Sequence, residues 1–299
     1  MFNPITEFKR RIAMRQMAKF FSRVERNPVT RTPKDIDLAY EDVSFKTEDG
    51  VTLKAWFIPA EGSRKLVIFN HFMLGNRAGA VPDPDWGNVT VDFMPIYRAL
   101  VKAGYSVLTY DLRNHGESDV YKDGALGLTH TEYRDILASV RYAKQHYAES
   151  ELYLYSQCYG TIATMRAMEK SPEDFDGVRA FVNIQPLSAD AFVQGVTGKF
   201  GISHPGNVDL FSHHLEKRTG YKVSQCLAPD LAPSVKTPTL LVQVHDDWRT
   251  EASDIEQVYD RLATTDKKLL WIEGEDERLE GYNYFARNPK ELIDWLDAH

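Results

Sequence analysis

A cysteine in the segment LYLYSQCYGT, residues 152–161, is placed where nucleophilic chemistry is expected. Its first residues, 152–155, form an apolar run typical of a strand, and a helical pattern continues from residue 161 onward. Cys158 lies between these two patterns, flanked by the small residues Ser156 and Gly160. A strand that turns sharply into a helix needs small residues beside the turn, because the two backbones nearly touch there. This turn would expose the thiol at the edge of a sheet. Cys158 is therefore predicted to be a nucleophile, with a small buried residue at a turn as the alternative.

The elements that position this cysteine alternate along the chain between strand and helix patterns. Short apolar runs predict strands at 40–46, 52–58, 65–70, 105–111, 152–156, 178–184, 239–244 and 268–272. Apolar residues at helical spacing predict helices at 93–103, 129–146, 161–170, 255–263 and 289–298. This alternation predicts the α/β class, with a mostly parallel, doubly wound sheet of about eight strands. The first two strands, joined by TEDG, predict an antiparallel hairpin at its edge.

The same pattern divides the chain into a core and an insertion. Residues 36–185 and 237–299 carry the alternation of strands and helices and are predicted to form the core. Residues 186–236 interrupt it, since they are rich in Gly, Pro, Ser, His and Asp and predict only short helical stretches. Functional residues follow the carboxyl ends of parallel strands. Because the insertion also follows a strand, we expect a lid or cap over that edge, with a surface extension away from the pocket as the alternative.

Residues 1–35 combine a basic amphipathic helix with a linker. Residues 4–25 have apolar side chains at helical spacing and a basic opposite face. The first 35 residues contain nine Lys/Arg and three Asp/Glu, a net charge of +6, although the whole chain carries −7. The pattern favours a helix that packs on its own domain or on a second copy in a homodimer. Binding to a membrane surface is the alternative.

Length and composition favour one large α/β domain and disfavour several other classes of protein. The chain has 299 residues, of which 43% are hydrophobic, and its net charge of −7 argues against nucleic-acid binding. Two cysteines, Cys158 and Cys226, form no disulfide framework. With no signal peptide and no apolar run near the roughly 20 residues that span a bilayer, a cytoplasmic protein is expected. The histidines show no metal-ligand spacing, so neither a metal nor a cofactor is expected.

The order of elements and three loops resemble the α/β-hydrolase superfamily over residues 40–298. The loops are SQCYG at the predicted turn, HFMLGN after the strand at 65–70, and DLRNHGES after the next strand. A cysteine in place of the serine of G-x-S-x-G resembles the dienelactone-hydrolase branch. The resemblance implies an oxyanion hole formed by the N–H groups of Phe72 and Tyr159. It also implies supporting roles for neighbouring side chains, namely His71, Ser156 and Gln157.

The rest of the implied triad departs from the superfamily pattern. Counting from Pro238 places the acid at Asp247, with the adjacent Asp246 as second choice. Capping of the following helix is the alternative role for these two acids. Counting from Gly274 to the usual histidine reaches Glu277 instead. A base could also come from the insertion, whose histidines are His204, His213 and His214.

These residues predict an atypical Cys158–Asp247–Glu277 site in a hydrolase or acyltransferase that acts on a small-molecule ester, thioester or lactone. A thiol tolerates the loss of histidine better than a serine, because part of it is ionised at neutral pH and a helix N-terminus favours that form. Glu277 would then manage the protons, oriented by Asp247 or by water. Two alternatives stay open. One is a lyase, dehydratase or cyclase that uses Glu277 as acid or base, and the other is a catalytically silent binding protein in which Cys158 merely fits the turn.

Overall fold

Eight strands form one sheet, in which the predicted parallel order and antiparallel edge are both present. The computed structural model describes residues 4–299, so residues 1–3 of the predicted N-terminal segment lie outside the described residues. The strands are β1 (Glu41–Lys46), β2 (Thr52–Ile58), β3 (Lys65–Asn70), β4 (Tyr105–Tyr110), β5 (Glu151–Gln157), β6 (Val178–Ile184), β7 (Thr239–Val244) and β8 (Lys267–Ile272). Their order in the sheet is β1-β2-β4-β3-β5-β6-β7-β8. β2 is antiparallel to both of its neighbours, and the remaining pairs are parallel.

Eleven α-helices surround and connect these strands within residues 4–299. They are α1 (Pro4–Phe20), α2 (Met94–Lys102), α3 (Tyr133–His146), α4 (Tyr159–Lys170), α5 (Ala189–Lys199), α6 (Asn207–Thr219), α7 (Ala228–Leu231), α8 (Ala252–Arg261), α9 (Arg278–Tyr282), α10 (Tyr284–Arg287) and α11 (Pro289–Asp297). None of these helices combines the length and the apolar character that crossing a bilayer requires.

The pairing of β3 with β5 decides which residues meet at the functional edge of the sheet. The two strands run parallel, with Asn70 beside Ser156. Their apolar side chains are buried on both faces, and the rings of Phe69 and Tyr155 stack with centroids 4.3 Å apart. Because both strands end at the same level, the loops that follow them emerge side by side.

The insertion between β6 and β7 is more helical than its composition predicts. Residues 186–236 contain α5, α6 and α7, where only short helical stretches were expected. Two of its glycines lie at the ends of α6, since Gly206 precedes its first turn and Gly220 follows its last residue with a φ of 80°. Glycine in this left-handed conformation is a common helix stop, so it marks the boundary without weakening the helix.

The N-terminal helix packs on the insertion of its own chain. α1 ends at Phe20, five residues before the predicted end, and lies against α6. Met14 and Ala18 are wholly buried in this contact. The guanidinium of Arg10 donates a 3.1 Å hydrogen bond to the side chain of Asn207. This bond fixes the rotation of α1 about its own axis.

Candidate active site

Cys158 occupies the sharp turn between β5 and α4. Its backbone, with φ of 48° and ψ of −109°, lies outside the regions that L-residues ordinarily adopt, a strain that costs about 1–3 kcal/mol. Its N–H donates to the Ile184 carbonyl at 2.8 Å. Gly160 allows the turn, because a Cβ atom there would lie only 2.6 Å from the His71 carbonyl oxygen. The surrounding backbone therefore holds the thiol in one strained position.

Two polar side chains before the cysteine connect this turn to its surroundings. The Ser156 hydroxyl accepts a 2.8 Å hydrogen bond from the Asn70 side chain and bonds to Thr164 at 2.9 Å. Ser156 therefore links β3, β5 and α4 at the position where the superfamily usually has glycine. The Gln157 amide donates to the Tyr282 carbonyl at 3.3 Å, and so holds the start of a second loop beside the turn.

The two residues expected to form an oxyanion hole lie beside the thiol. Phe72 follows β3, Tyr159 is the first residue of α4, and both line the same cavity as Cys158. Within the described chain, neither backbone N–H donates a hydrogen bond to a protein group. Backbone donors next to a buried reactive group are rarely left unpaired, so these two are available to a ligand.

His71 supports the Phe72 loop from inside the protein. The Leu112 N–H donates to its Nε2 at 3.0 Å, so Nδ1 carries the proton and donates to the Phe72 carbonyl at 2.7 Å. Burial lowers the pKa of His71 well below its usual value, which keeps the imidazole neutral. Both ring nitrogens are thus occupied within the fold, and the side chain fixes the loop in place.

The Cys158 thiol faces an apolar cavity with about 610 Å³ of empty space, its open mouth included. The insertion supplies part of the wall through Leu187, Ala189 and Cys226, and the residue after α1, Phe21, supplies another part. The polar side chains on the wall are those of Thr129, Cys158, Tyr159, Cys226, Arg278 and Tyr282. Among the described residues, no histidine or carboxylate lines this cavity. A substrate here would meet a mostly apolar surface and one cation.

Asp247 lies behind this wall and forms a buried ion pair with Arg278. Its Oδ2 lies 2.7 Å from the Arg278 Nη1, and both side chains are 1% exposed. The same carboxylate accepts hydrogen bonds from the Arg249 N–H at 3.1 Å and from the Thr250 hydroxyl at 3.1 Å. Both carboxylate oxygens of Asp247 thus have partners within the protein, and the strongest contact is the one with Arg278.

Arg278 brings a fixed positive charge to the cavity. Its Nε donates to the Tyr282 hydroxyl at 2.9 Å, and its Nη2 donates to the Gln185 carbonyl. Burial alone would lower the pKa of Arg278, but the neighbouring Tyr282 and Asp247 raise it. Cys158 contributes to the same shift, which places the guanidinium within electrostatic reach of the thiol. An arginine so held stays charged and cannot exchange protons at neutral pH.

Tyr282 connects this cation to the cysteine. Burial raises the pKa of Tyr282 well above its usual value, although Arg278 opposes the shift. The neighbouring Cys158 raises the pKa further. The ring stacks on Phe72, with centroids 4.6 Å apart. The hydroxyl therefore keeps its proton and accepts a hydrogen bond from the guanidinium.

Glu277 does not form the predicted contact with Asp247. Its Oε2 pairs with the Arg249 Nη1 at 2.8 Å, its side chain is 30% exposed, and it is absent from the cavity wall. Arg249 in turn lies over Trp86, with the guanidinium carbon 4.9 Å from the ring centroid. The reason is local, because Glu277 precedes the first residue of α9, and Arg278 begins that helix and points inward. The count from Gly274 falls one residue short of the side chain that meets Asp247.

The other candidate residues lie away from the thiol. Asp246 is exposed and pairs with the Nδ1 of its neighbour His245 at 2.7 Å, so it does not enter the cavity. None of the three histidines of the insertion lines the cavity wall, namely His204, His213 and His214. Over residues 4–299, no group of three or more His, Cys, Asp or Glu side chains is arranged to hold a metal ion.

Arg278 is the functional candidate that the sequence pattern does not reveal. A signal was present, since this arginine follows four acidic residues in the segment EGEDER directly after the last strand. Tyr282 lies one helical turn later. Residues at positions i and i+4 share a helix face, so the pair could have been expected on one side of a helix.

The sequence matches the family described as alpha/beta hydrolase fold over residues 65–201. No curated protein sequence matches this chain. The matched residues include the strand, loop and turn around Cys158, but end within the insertion.

Several solved structures are similar to this chain over most of their length. The esterase Pf2001 of Pyrococcus furiosus is 23% identical, with a TM-score of 0.69, 93% of this chain and 98% of that chain being covered. Est1E of Butyrivibrio proteoclasticus, solved with ferulic acid, is 18% identical, with a TM-score of 0.58 and coverages of 86% and 100%. A dienelactone hydrolase of Anabaena variabilis is 18% identical, with a TM-score of 0.55 and coverages of 88% and 98%. At these identities the likeness concerns the fold.

Proposed function

Since the chain has the α/β-hydrolase fold, we propose that it is a cysteine-dependent enzyme that forms an acyl-enzyme with small esters, thioesters or lactones. The observation that carries this proposal is the strained backbone of Cys158, which holds the thiol against a cavity beside two unpaired N–H groups. Strain of this kind persists only where the surrounding structure enforces it, and it clusters at functional sites. A merely small residue at this turn would not need the unpaired donors beside it.

The first half of the reaction uses groups that surround the thiol. The Cys158 thiolate attacks the carbonyl carbon, a C–S bond forms, and the carbonyl electrons move to oxygen. The N–H groups of Phe72 and Tyr159 stabilise that oxyanion, an effect worth about 2.7–4 kcal/mol for each donor. The thiol loses its proton to water at the mouth of the cavity before the attack. The intermediate then collapses, the bond to the alcohol or thiol breaks, and the leaving group takes a proton from water. Tyr282, whose hydroxyl accepts a hydrogen bond from Arg278, lines the same cavity and stays protonated.

The buried pair of Arg278 and Asp247 supplies the positive charge that a protonated histidine would supply, but it cannot transfer a proton. A cation beside a cysteine favours its thiolate form, as a protonated histidine does. Arginine cannot act as a base for water, however, because it does not lose its proton. With no imidazole or carboxylate on the described cavity wall, the acyl-enzyme is expected to react slowly with water. Transfer to a stronger nucleophile, such as a thiol or amine, is then the favoured second half.

Intact-mass spectrometry tests this proposal directly. The full chain is exposed briefly to an activated ester with an apolar acyl group, and the mass and lifetime of the adduct are measured. We expect one acyl group on the wild type, none on Cys158→Ala, and an increased decay rate on addition of a small thiol. Cys226→Ala is the matched control, because Cys226 lines the same cavity while burial raises its pKa to about 12.

A second candidate function follows from the two unpaired N–H groups and the cation on the cavity wall. A lyase, dehydratase or cyclase would use these groups to stabilise an enolate, with the Cys158 thiolate as the base that takes the α-proton and without a covalent intermediate. Such an enzyme would give no acyl adduct, although iodoacetamide would still alkylate Cys158. A thiol inert to both reagents, with unchanged stability in Cys158→Ala, would favour the silent binding protein instead.

A further inference from the structure

We propose that the solvent-facing side of α1 binds the surface of a membrane that contains anionic lipids. This side, called the outer face below, is defined by its exposed residues: Phe8, Lys9, Arg11, Ile12, Arg15 and Lys19. The inference does not depend on the proposed function, since none of these side chains lines the Cys158 cavity.

The orientation of α1 is fixed, so the outer face stays in solvent. With 3.6 residues per turn, Phe8, Ile12 and Lys19 fall on one stripe of the helix. Met14 lies about 120–160° around the helix from this stripe, Ala18 lies beside Met14, and both are wholly buried. The helix cannot roll its apolar outer residues inward without breaking this contact with α6.

Two large apolar side chains on this face are largely exposed to solvent. Phe8 is 65% exposed and Ile12 is 45% exposed, and they are one helical turn apart. Three other large apolar residues of the described chain are comparably exposed, and they are scattered: Val81, Val120 and Phe200. An apolar pair flanked by cations on a helix is the pattern of helices that lie in the membrane interface.

Most of the cations around this pair are not neutralised within the protein, although Arg11 pairs with Glu7 at 2.8 Å. Lys9, Arg15 and Lys19 form no ion pair in the described chain, although the protein as a whole carries a net charge of −7. The adjacent helix extends the positive surface, because the exposed Lys217 and Arg218 of α6 lie close to His214, as Arg15 of α1 does. An anionic partner is therefore favoured.

A lipid surface satisfies both features, whereas other partners satisfy only one. A second copy docked by two-fold symmetry would place the outer face against itself, and its lysines and arginines would repel one another. A nucleic acid or an acidic protein surface would match the cations but leave Phe8 and Ile12 without a role. Anionic headgroups bind the cations, while the acyl region buries the two apolar side chains.

Vesicle co-sedimentation of the full chain tests the cations first. We expect binding to vesicles of phosphatidylcholine mixed with phosphatidylglycerol, weakening as salt is added, and none to phosphatidylcholine alone. Arg15→Gln combined with Lys19→Gln should weaken binding by about fivefold for each cation removed. Lys236→Gln combined with Lys268→Gln removes the same charge from exposed positions elsewhere and should leave binding unchanged.

The apolar pair is tested in the same assay. Phe8→Ser combined with Ile12→Ser should weaken binding about tenfold or more, whereas Val120→Ser, at a residue 57% exposed, should have no effect. Equal binding to both kinds of vesicle, or binding that neither pair of substitutions weakens, would overturn the proposal. So would a dimer in sedimentation velocity that needs Phe8 and Ile12 while vesicles are not bound. Cys158→Ala should bind vesicles as the wild type does, so failure of the acyl chemistry stays a separate result.

Discussion

The two sides of the Cys158 cavity are held in place by different kinds of interaction. On the side formed by residues 70–73 and 156–160, called the elbow side, backbone geometry fixes the thiol and the two N–H groups. On the side formed by residues 247–249 and 277–282, called the arginine side, a buried ion pair and a tyrosine hydroxyl set the geometry. The elbow side follows the superfamily pattern closely, and the arginine side departs from it.

This contrast shows which part of such a site can change its chemistry. The elbow side depends on a strained turn and close backbone contact, for which few residue types are suitable. The arginine side depends on a carboxylate that needs a cationic partner, and arginine satisfies Asp247 as fully as histidine could. With arginine as the partner of Asp247, a positive charge is kept beside the cavity but proton transfer is lost. The proposed function follows from this, with an acyl-enzyme that forms and is then hydrolysed slowly.

Cys158→Ser gives the largest expected effect. The change keeps the geometry of the elbow side but requires a base, which the arginine side would have to supply. A serine hydroxyl needs a proton acceptor, which Arg278 cannot be. We expect the rate of acyl-enzyme formation to fall by about 10³-fold or more, with little change in melting temperature. The rate of adduct formation by intact mass checks this. A serine adduct formed at a rate close to that of the wild type would mean that the cavity holds a base we have not identified.

Arg278→Met tests the electrostatic support of the arginine side. The change leaves the Asp247 carboxylate buried without its partner, so the free energy of unfolding should fall by about 3–5 kcal/mol. Combining it with Asp247→Leu should recover much of that loss, since no unpaired charge then remains. Urea unfolding measures both.

Arg249→Met is the matched control for that experiment. Arg249 is as buried as Arg278, but its partner Glu277 is 30% exposed and can be solvated when it is left alone. We expect a loss of about 1 kcal/mol or less. Equal losses in the two arginine variants would contradict the distinction between a buried and a solvated pair.

Asp254, a buried residue of α8 outside both sides of the cavity, gives the stability of the protein a pH dependence. Burial raises the pKa of Asp254 to about 6, while Ser188 opposes the shift. The folded state then holds the proton more tightly than the unfolded state between about pH 4 and pH 6. Its contribution to the free energy of unfolding is greatest below pH 4, falls as pH rises and is lost above pH 6, a change of up to about 3 kcal/mol.

Asp254→Asn should flatten the stability profile between pH 4 and pH 6. The asparagine cannot ionise, so the variant should be more stable than the wild type at pH 7 and similar to it at pH 4. Asp260→Asn, on the exposed side of the same helix, should keep the wild-type slope. Urea unfolding over this pH range would contradict the assignment if Asp254→Asn and the wild type had the same slope.

The sequence predicts the elbow side well because its signals are local. Apolar runs locate the strands that end beside Cys158, and the small Ser156 and Gly160 indicate the turn between them. Parallel pairing then brings the loop of Phe72 to the same edge. Each step uses residues that are close in the chain, or strands whose order follows from their alternation with helices.

The arginine side was harder to predict because it depends on where a helix begins. The spacing from Gly274 leads to Glu277, but α9 starts at Arg278, and only that side chain turns towards Asp247. One residue of offset changes the direction of a side chain by about 100° on a helix, so residue spacing alone cannot resolve it. The helices of the insertion are hard to predict for another reason, since Gly206 and Gly220 bound α6 while Gly195 and Gly198 lie inside α5.

Glu277→Gln has the smallest expected effect. It distinguishes the role that residue spacing predicts for Glu277 from the contact that the structure shows. If Glu277 is the acid or base, as the spacing predicts, then its neutral variant should change the rate of acyl-enzyme formation and the dependence of that rate on pH. The structure pairs Glu277 with Arg249 outside the cavity, so we expect a rate within about twofold of the wild type and an unchanged pH profile. Glu280→Gln, which breaks an exposed pair with Arg287, is the matched control. A shifted profile in Glu277→Gln alone would return the proton transfer to the carboxylate, and would reduce Arg278 to a partner that holds Asp247.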